Sequence, residues 1–234
     1  MYLSAESIYL YIILVVPALV LAIFAQITVK SRYSKYSRIK NSRNLTGAQA
    51  AMNVLNYYGV TGVKIIPIKG TLTDNFNPRN NTISLSEDIY YGTSVASVGI
   101  AGHEAGHAAQ HAENYFPIKV RNAVIPVCNI GSWVGIPLAL IGYFLGIQGL
   151  ITIGLGLYAM ITVFQLVTLP VEFNASRRSL KVIEETGMLA DGEERSGAKK
   201  VLTAAAMTYV ASLAVSLANL LRFIILLGGG SRRD

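Results

Sequence analysis

The sequence predicts an α-helical integral membrane protein with a small α+β water-facing domain, and three observations predict it. The composition is 52% hydrophobic and 14% charged with a mean hydropathy of +0.45, too apolar and too sparsely charged for an ordinary soluble domain. Apolar stretches at 8–29, 124–145, 147–169 and 201–227 are each long enough to cross a hydrocarbon core of about 30 Å. Segment 30–121, by contrast, carries the helix, strand and turn signals of a folded domain in water. The lone Cys128 lies in an apolar run, which excludes an internal disulfide and a cysteine-rich zinc site and suits a small core residue.

Segment 8–29 is uncharged and too long for a secretory h-region, and an acid, Glu6, stands where a basic n-region belongs. It is expected to stay as an anchor. Lys30, Arg32, Lys35, Arg38, Lys40 and Arg43 follow it, with no acid between Glu6 and Asp74. A basic cluster beside a span marks the cytoplasmic flank and suits anionic headgroups of the bilayer. It accounts for much of the net charge of +7 and disfavours nucleic acid as the partner.

Within the domain expected at 30–121, Thr46 to Tyr58 has the pattern of an amphipathic helix closed by Gly59. Val63 to Ile68 predicts a strand. Gly70 to Phe76 and Thr82 to Leu85, on either side of Asn77-Pro78-Arg79-Asn80-Asn81, predict a hairpin whose edge can take an extended peptide or simply cover the next helix. That helix is expected from about Ser94 to Ala112. Segments 124–145 and 147–169, joined at Gly146, form a transmembrane helical hairpin that returns the chain to the face it left. Segment 170–187 is expected to open a new helix at Pro170, with Glu172 near its positive end and Gly187 beyond it. The last apolar helix, 201–227, is rich in Ala and Ser; if it spans, Arg232 and Arg233 oppose the positive-inside trend.

The chemistry is concentrated in Ala101-Gly102-His103-Glu104-Ala105-Gly106-His107-Ala108-Ala109-Gln110-His111. On a helix, His103 and His107 stand one turn apart on one face and can share a metal, with Glu104 beside them to accept a proton from water. This is the HExxH constellation of zinc hydrolases, so the domain is expected to be zincin-like and its cofactor Zn2+. Glycine inside a helix costs roughly 1 kcal/mol against alanine, so Gly102 and Gly106 imply that another element packs very close.

A catalytic zinc needs about three protein ligands, and three candidates compete for the third place. His111 is about 12 Å along a straight helix from His103, too far to share one tetrahedral ion. Glu113 has the offset used in some zincins, but Gln110 stands where a helix-breaking glycine is needed. Glu172 has the better case, because the membrane hairpin returns it to the correct side; a helix-dipole contact or an ion pair with Arg177 or Arg178 competes for it.

The stretches Gly99 to His111 (GIAGHEAGHAAQH) and Leu169 to Ser179 (LPVEFNASRRS) resemble the membrane-bound neutral zinc metallopeptidases of the YugP type. Leu72-Thr73-Asp74, Leu85 to Gly92 and Leu166 to Pro170 are similar as well, so the resemblance covers nearly the whole chain. A more distant likeness is to HtpX-type membrane proteases. The resemblance implies His103, His107 and Glu172 as zinc ligands and Glu104 as general base. The expected activity is peptide-bond hydrolysis at the cytoplasmic face of the cell membrane, on a peptide or membrane-protein substrate. Arg177, Arg178, Tyr90 and Tyr91 are candidates to steady the oxyanion. The rival reading keeps the zinc in a closed, structural site of a membrane scaffold or regulator.

Overall fold

Apolar runs of this length have one economical way to satisfy their backbone groups, and helix dominates the computed structural model, which describes residues 5–228. Arg232 and Arg233 lie outside the described residues. In chain order come α1 (Ala5–Leu10), a π-helical turn (Tyr11–Val15), α2 (Val16–Tyr36), α3 (Gly47–Tyr57), β1 (Lys64–Ile68), β2 (Asn75–Asn77) and β3 (Thr82–Ser86). They are followed by α4 (Glu87–Tyr90), α5 (Val95–Ala112), α6 (Phe116–Leu145), α7 (Gln148–Glu185) and α8 (Glu193–Gly228). Among the described residues four helices, Ser7–Tyr36, Phe116–Leu145, Gln148–Glu185 and Glu193–Leu227, are long and apolar enough to cross a membrane.

The chain divides into two compact units. The first holds residues 5–25, 119–169 and 208–228 of the described chain. Here α6 turns into α7 through Gly146, whose φ of +68° suits the missing side chain. The two helices pack on small residues: a β-carbon at Gly131 would lie 2.2 Å from the Leu157 carbonyl oxygen, and one at Gly154 would lie 2.5 Å from the Ala139 nitrogen. Ala139, Ile151 and Leu227 are buried together, and Cys128 is buried with its Sγ 2.9 Å from the Met160 carbonyl oxygen.

The second unit, Gln26–Ile118 with Pro170–Met207, has an ordinary apolar core including Val54, Leu55, Ile83, Leu85, Val98, Val182 and Ile183. Thr46 caps α3 in a reciprocal box with Gln49, and Gly59 beyond its end has φ +65°. Ser94 caps α5 by accepting from the Ser97 amide. The expected hairpin is present, but β2 shrinks to Asn75–Asn77, because Gly70 and Leu72 take left-handed φ of +115° and +56°. Asp74 ties the entry of that strand down by accepting from the Ser86 amide at 2.8 Å. The strand order is β1-β3-β2, with β1 parallel to β3 and β2 antiparallel to it, so β2 is an edge.

One expectation needs correcting. Pro170 does not open a new helix: α7 runs unbroken from Gln148 to Glu185 with Pro170 inside it. Proline removes a single backbone donor, and a long helix held by packing on both sides of the residue absorbs that loss. Glu172 therefore projects from within a continuous helix, not from a free helix start. Likewise α8 begins at Glu193, ahead of the apolar stretch.

Candidate metal centre

α5 is built almost wholly of small residues on its buried faces, and this is what lets α7 reach it. A β-carbon at Gly106 would stand 2.6 Å from the Ala175 carbonyl oxygen, and one at Gly102 would stand 2.4 Å from Ser179 Oγ. The close approach expected from these two glycines is that of α7. It carries Glu172, one turn before Ser176, to the His103–His107 face.

Glu172 Oε2 lies 3.3 Å from His103 Nε2 and 3.6 Å from His107 Nε2. The imidazole rings meet nearly at right angles, with centroids 4.7 Å apart. One ligand atom from each of the three residues lies within 4.8 Å of the others. Glu172 is buried while both imidazoles keep some exposure. Glu104 is buried beside them, and burial pushes its carboxyl up from the ordinary range against the pull of the two histidines. Burial alone would lower the His107 imidazole, but the Glu172 hydrogen bond and the Glu104 charge raise it.

Both inner ring nitrogens are also engaged. His103 Nδ1 is 3.1 Å from Ser176 Oγ, and His107 Nδ1 is 3.0 Å from Gln110 Oε1. Gln110 is fully buried and donates through Nε2 to the Val171 carbonyl at 2.8 Å and to Asn174 Oδ1 at 2.9 Å. The sequence singled out Gln110 only as the residue in place of a helix-breaking glycine, and it did not single out Ser176 or Asn174 at all. Gln110 is one turn on from His107, and Ser176 one turn on from Glu172, a local spacing that could have flagged both.

The competing candidates are occupied elsewhere. His111 faces the Phe76 ring, centroids 5.9 Å apart. Glu113 is the C-cap of α5 and accepts from Arg178 at 2.7 Å, which holds its carboxyl below the ordinary range. Arg178 is thereby committed: its Nε donates to Asn174, and its guanidinium lies over the Tyr58 ring at 5.1 Å. Arg177 lines a groove of about 470 Å³ with Lys181, Lys199 and Leu202. Tyr90 packs on the core and Tyr91 is largely exposed.

Residues 11–228 match the model of the family described as "putative neutral zinc metallopeptidase". The chain belongs to this zinc metallopeptidase family. It is also 44% identical over 221 residues, 94% of this chain and 98% of the relative, to the "putative membrane protease YugP" of Bacillus subtilis (strain 168). No solved structure matches it. The metallopeptidase's cofactor is zinc, and the donor set fits that ion. Bonds of about 2.0–2.1 Å in a tetrahedron put donor atoms about 3.3 Å apart, close to the two separations from Glu172 Oε2.

Proposed function

We propose that this membrane metallopeptidase is an endopeptidase that hydrolyses peptide bonds at the cytoplasmic face, with His103, His107 and Glu172 as zinc ligands and Glu104 as general base. The observation that carries this reading is the convergence of the three donor atoms beside a buried Glu104. Bound zinc supplies polarisation of the scissile carbonyl and acidification of the attacking water. Glu104 takes the proton from that water and passes it to the leaving amine, a transfer helped by a carboxyl whose affinity for protons burial has increased. Ser176 and Gln110 hold the two imidazoles in place.

A closed structural site would need a fourth protein ligand, and the cluster holds three among the described residues. The edge strand β2, whose Phe76 faces His111, offers an extended peptide a place beside α5 by strand addition. The cytoplasmic placement rests on Lys30, Arg32, Lys35, Arg38, Lys40 and Arg43, which belong to the unit that holds the cluster. In this reading 8–29, the hairpin 124–169 and 201–227 span the bilayer, while 30–121 and 170–187 form a zincin-like domain in water.

The test is cleavage of a casein-like unfolded substrate by detergent-purified protein with zinc content measured in parallel. Glu104→Gln is expected to lower the rate about 10²–10⁴-fold while keeping zinc. Equal cleavage by both proteins would remove the endopeptidase reading.

A further inference from the structure

A histidine can offer Nε2 to a metal only if its proton sits on Nδ1, so something must choose between two nearly equivalent tautomers. Around His107 the choice can be traced outward bond by bond. Arg178 has only donors and stays charged, so the atom of Asn174 that its Nε meets at 2.8 Å must be the oxygen. The same Asn174 oxygen and the Val171 carbonyl are both acceptors, so the atom of Gln110 that meets them at 2.9 Å and 2.8 Å must be the nitrogen. Reversing either amide would set donor against donor or acceptor against acceptor inside a buried site. Gln110 Oε1 is left facing His107 Nδ1 at 3.0 Å, and an amide oxygen can only accept.

We propose that Gln110, fixed in one amide orientation by Asn174 and Arg178, is a positioning residue that keeps His107 in the Nδ1–H tautomer and so aims its Nε2 lone pair at zinc. The inference rests on the proposed ligand role of His107. It explains why a polar side chain with no exposure follows the buried Gly106, Ala108 and Ala109 of this helix. It also explains the Glu113–Arg178 pair, because Glu113 secures the guanidinium from which the order of donors and acceptors runs inward.

The chain has three histidines, so the full-length, metal-free protein with ring-¹⁵N histidine gives three imidazole patterns. His107 is assigned by replacing His103 and His111 in turn. At a pH where the ring is neutral, and in a Glu172→Ala background that removes the carboxylate 3.6 Å from Nε2, His107 is expected to carry its proton on Nδ1. Adding Gln110→Leu to that background moves the proton towards Nε2, and with Glu172 intact the same change lowers zinc affinity, read by competition with a chromophoric chelator, about 10–100-fold. Gln110→Glu keeps an acceptor opposite Nδ1, so it retains the wild-type tautomer and most of the zinc affinity. It melts at a lower temperature, because the Val171 carbonyl loses its donor. A residue that served packing alone would lower the melting temperature in both variants and leave the tautomer untouched, which overturns the proposal. A His107 protonated on Nε2 in the Glu172→Ala protein with Gln110 intact also overturns it. Full zinc binding by His107→Ala would instead overturn the ligand role of His107, a failure that the tautomer pattern separates from that of Gln110.

Discussion

α7 makes two close helix crossings, one in each unit, and they use the same device to different ends. Against α6, a β-carbon at Gly131 or Gly154 would strike backbone atoms of the partner helix, and the surroundings are apolar. Between helices in lipid there is little hydrophobic gain, so backbone contact is itself the attraction. Against α5, Gly106 meets the Ala175 backbone and Gly102 the Ser179 side chain, but the flanking residues are His103, Glu104, His107, Gln110, Glu172 and Ser176. There the narrow gap sets the separation between polar groups whose chemistry depends on distance. A glycine-to-alanine change should therefore cost stability in the first crossing and the metal in the second.

The strongest way to break the comparison is to remove the polar group that the second crossing delivers. Glu172→Ala is expected to weaken zinc binding more than about 100-fold, beyond the loss from disturbing an outer partner, and equilibrium dialysis against zinc measures it. Stoichiometric zinc in that variant would move the third ligand elsewhere. Next, Gly106→Ala puts a methyl group where the Ala175 carbonyl stands and should cost at least about tenfold in zinc affinity, with a few degrees in melting temperature. Gly131→Ala sharpens the contrast. It should destabilise by about 1–3 kcal/mol of overpacking, read from detergent-solubilised melts, while its folded fraction binds zinc as the wild type does.

The smallest effect concerns the outer end of the second crossing. Arg178 holds the Glu113 carboxyl below its ordinary range, so the stability from this pair is present above about pH 4.3 and is lost as pH falls through the folded value. Glu113 is half exposed, and solvent screening keeps the contribution within about 1 kcal/mol. Melting temperature between about pH 5 and pH 3 should fall more steeply with acid in the wild type than in Glu113→Gln.

Residue pattern alone made the four apolar helices, the extent of α5 from about Ser94 to Ala112 and the close contact at Gly102 and Gly106 legible, because each depends on neighbours within a turn or two. The parallel pairing of β1 with β3 was not legible, since a strand's alternation does not say which strand it meets. Pro170 misled for a related reason: its local cost is fixed by sequence, but whether a long helix bears that cost depends on what packs around it.

By itself, then, the sequence determined two imidazoles one helical turn apart, a glutamate beside them and four stretches long and apolar enough to cross a membrane. Only the tertiary structure decided that Glu172, and not His111 or Glu113, meets those imidazoles, and that Gln110 and Ser176 stand behind them. Helical periodicity fixes angles between near neighbours, whereas a group some seventy residues away along the chain is placed by how closely two helices can approach.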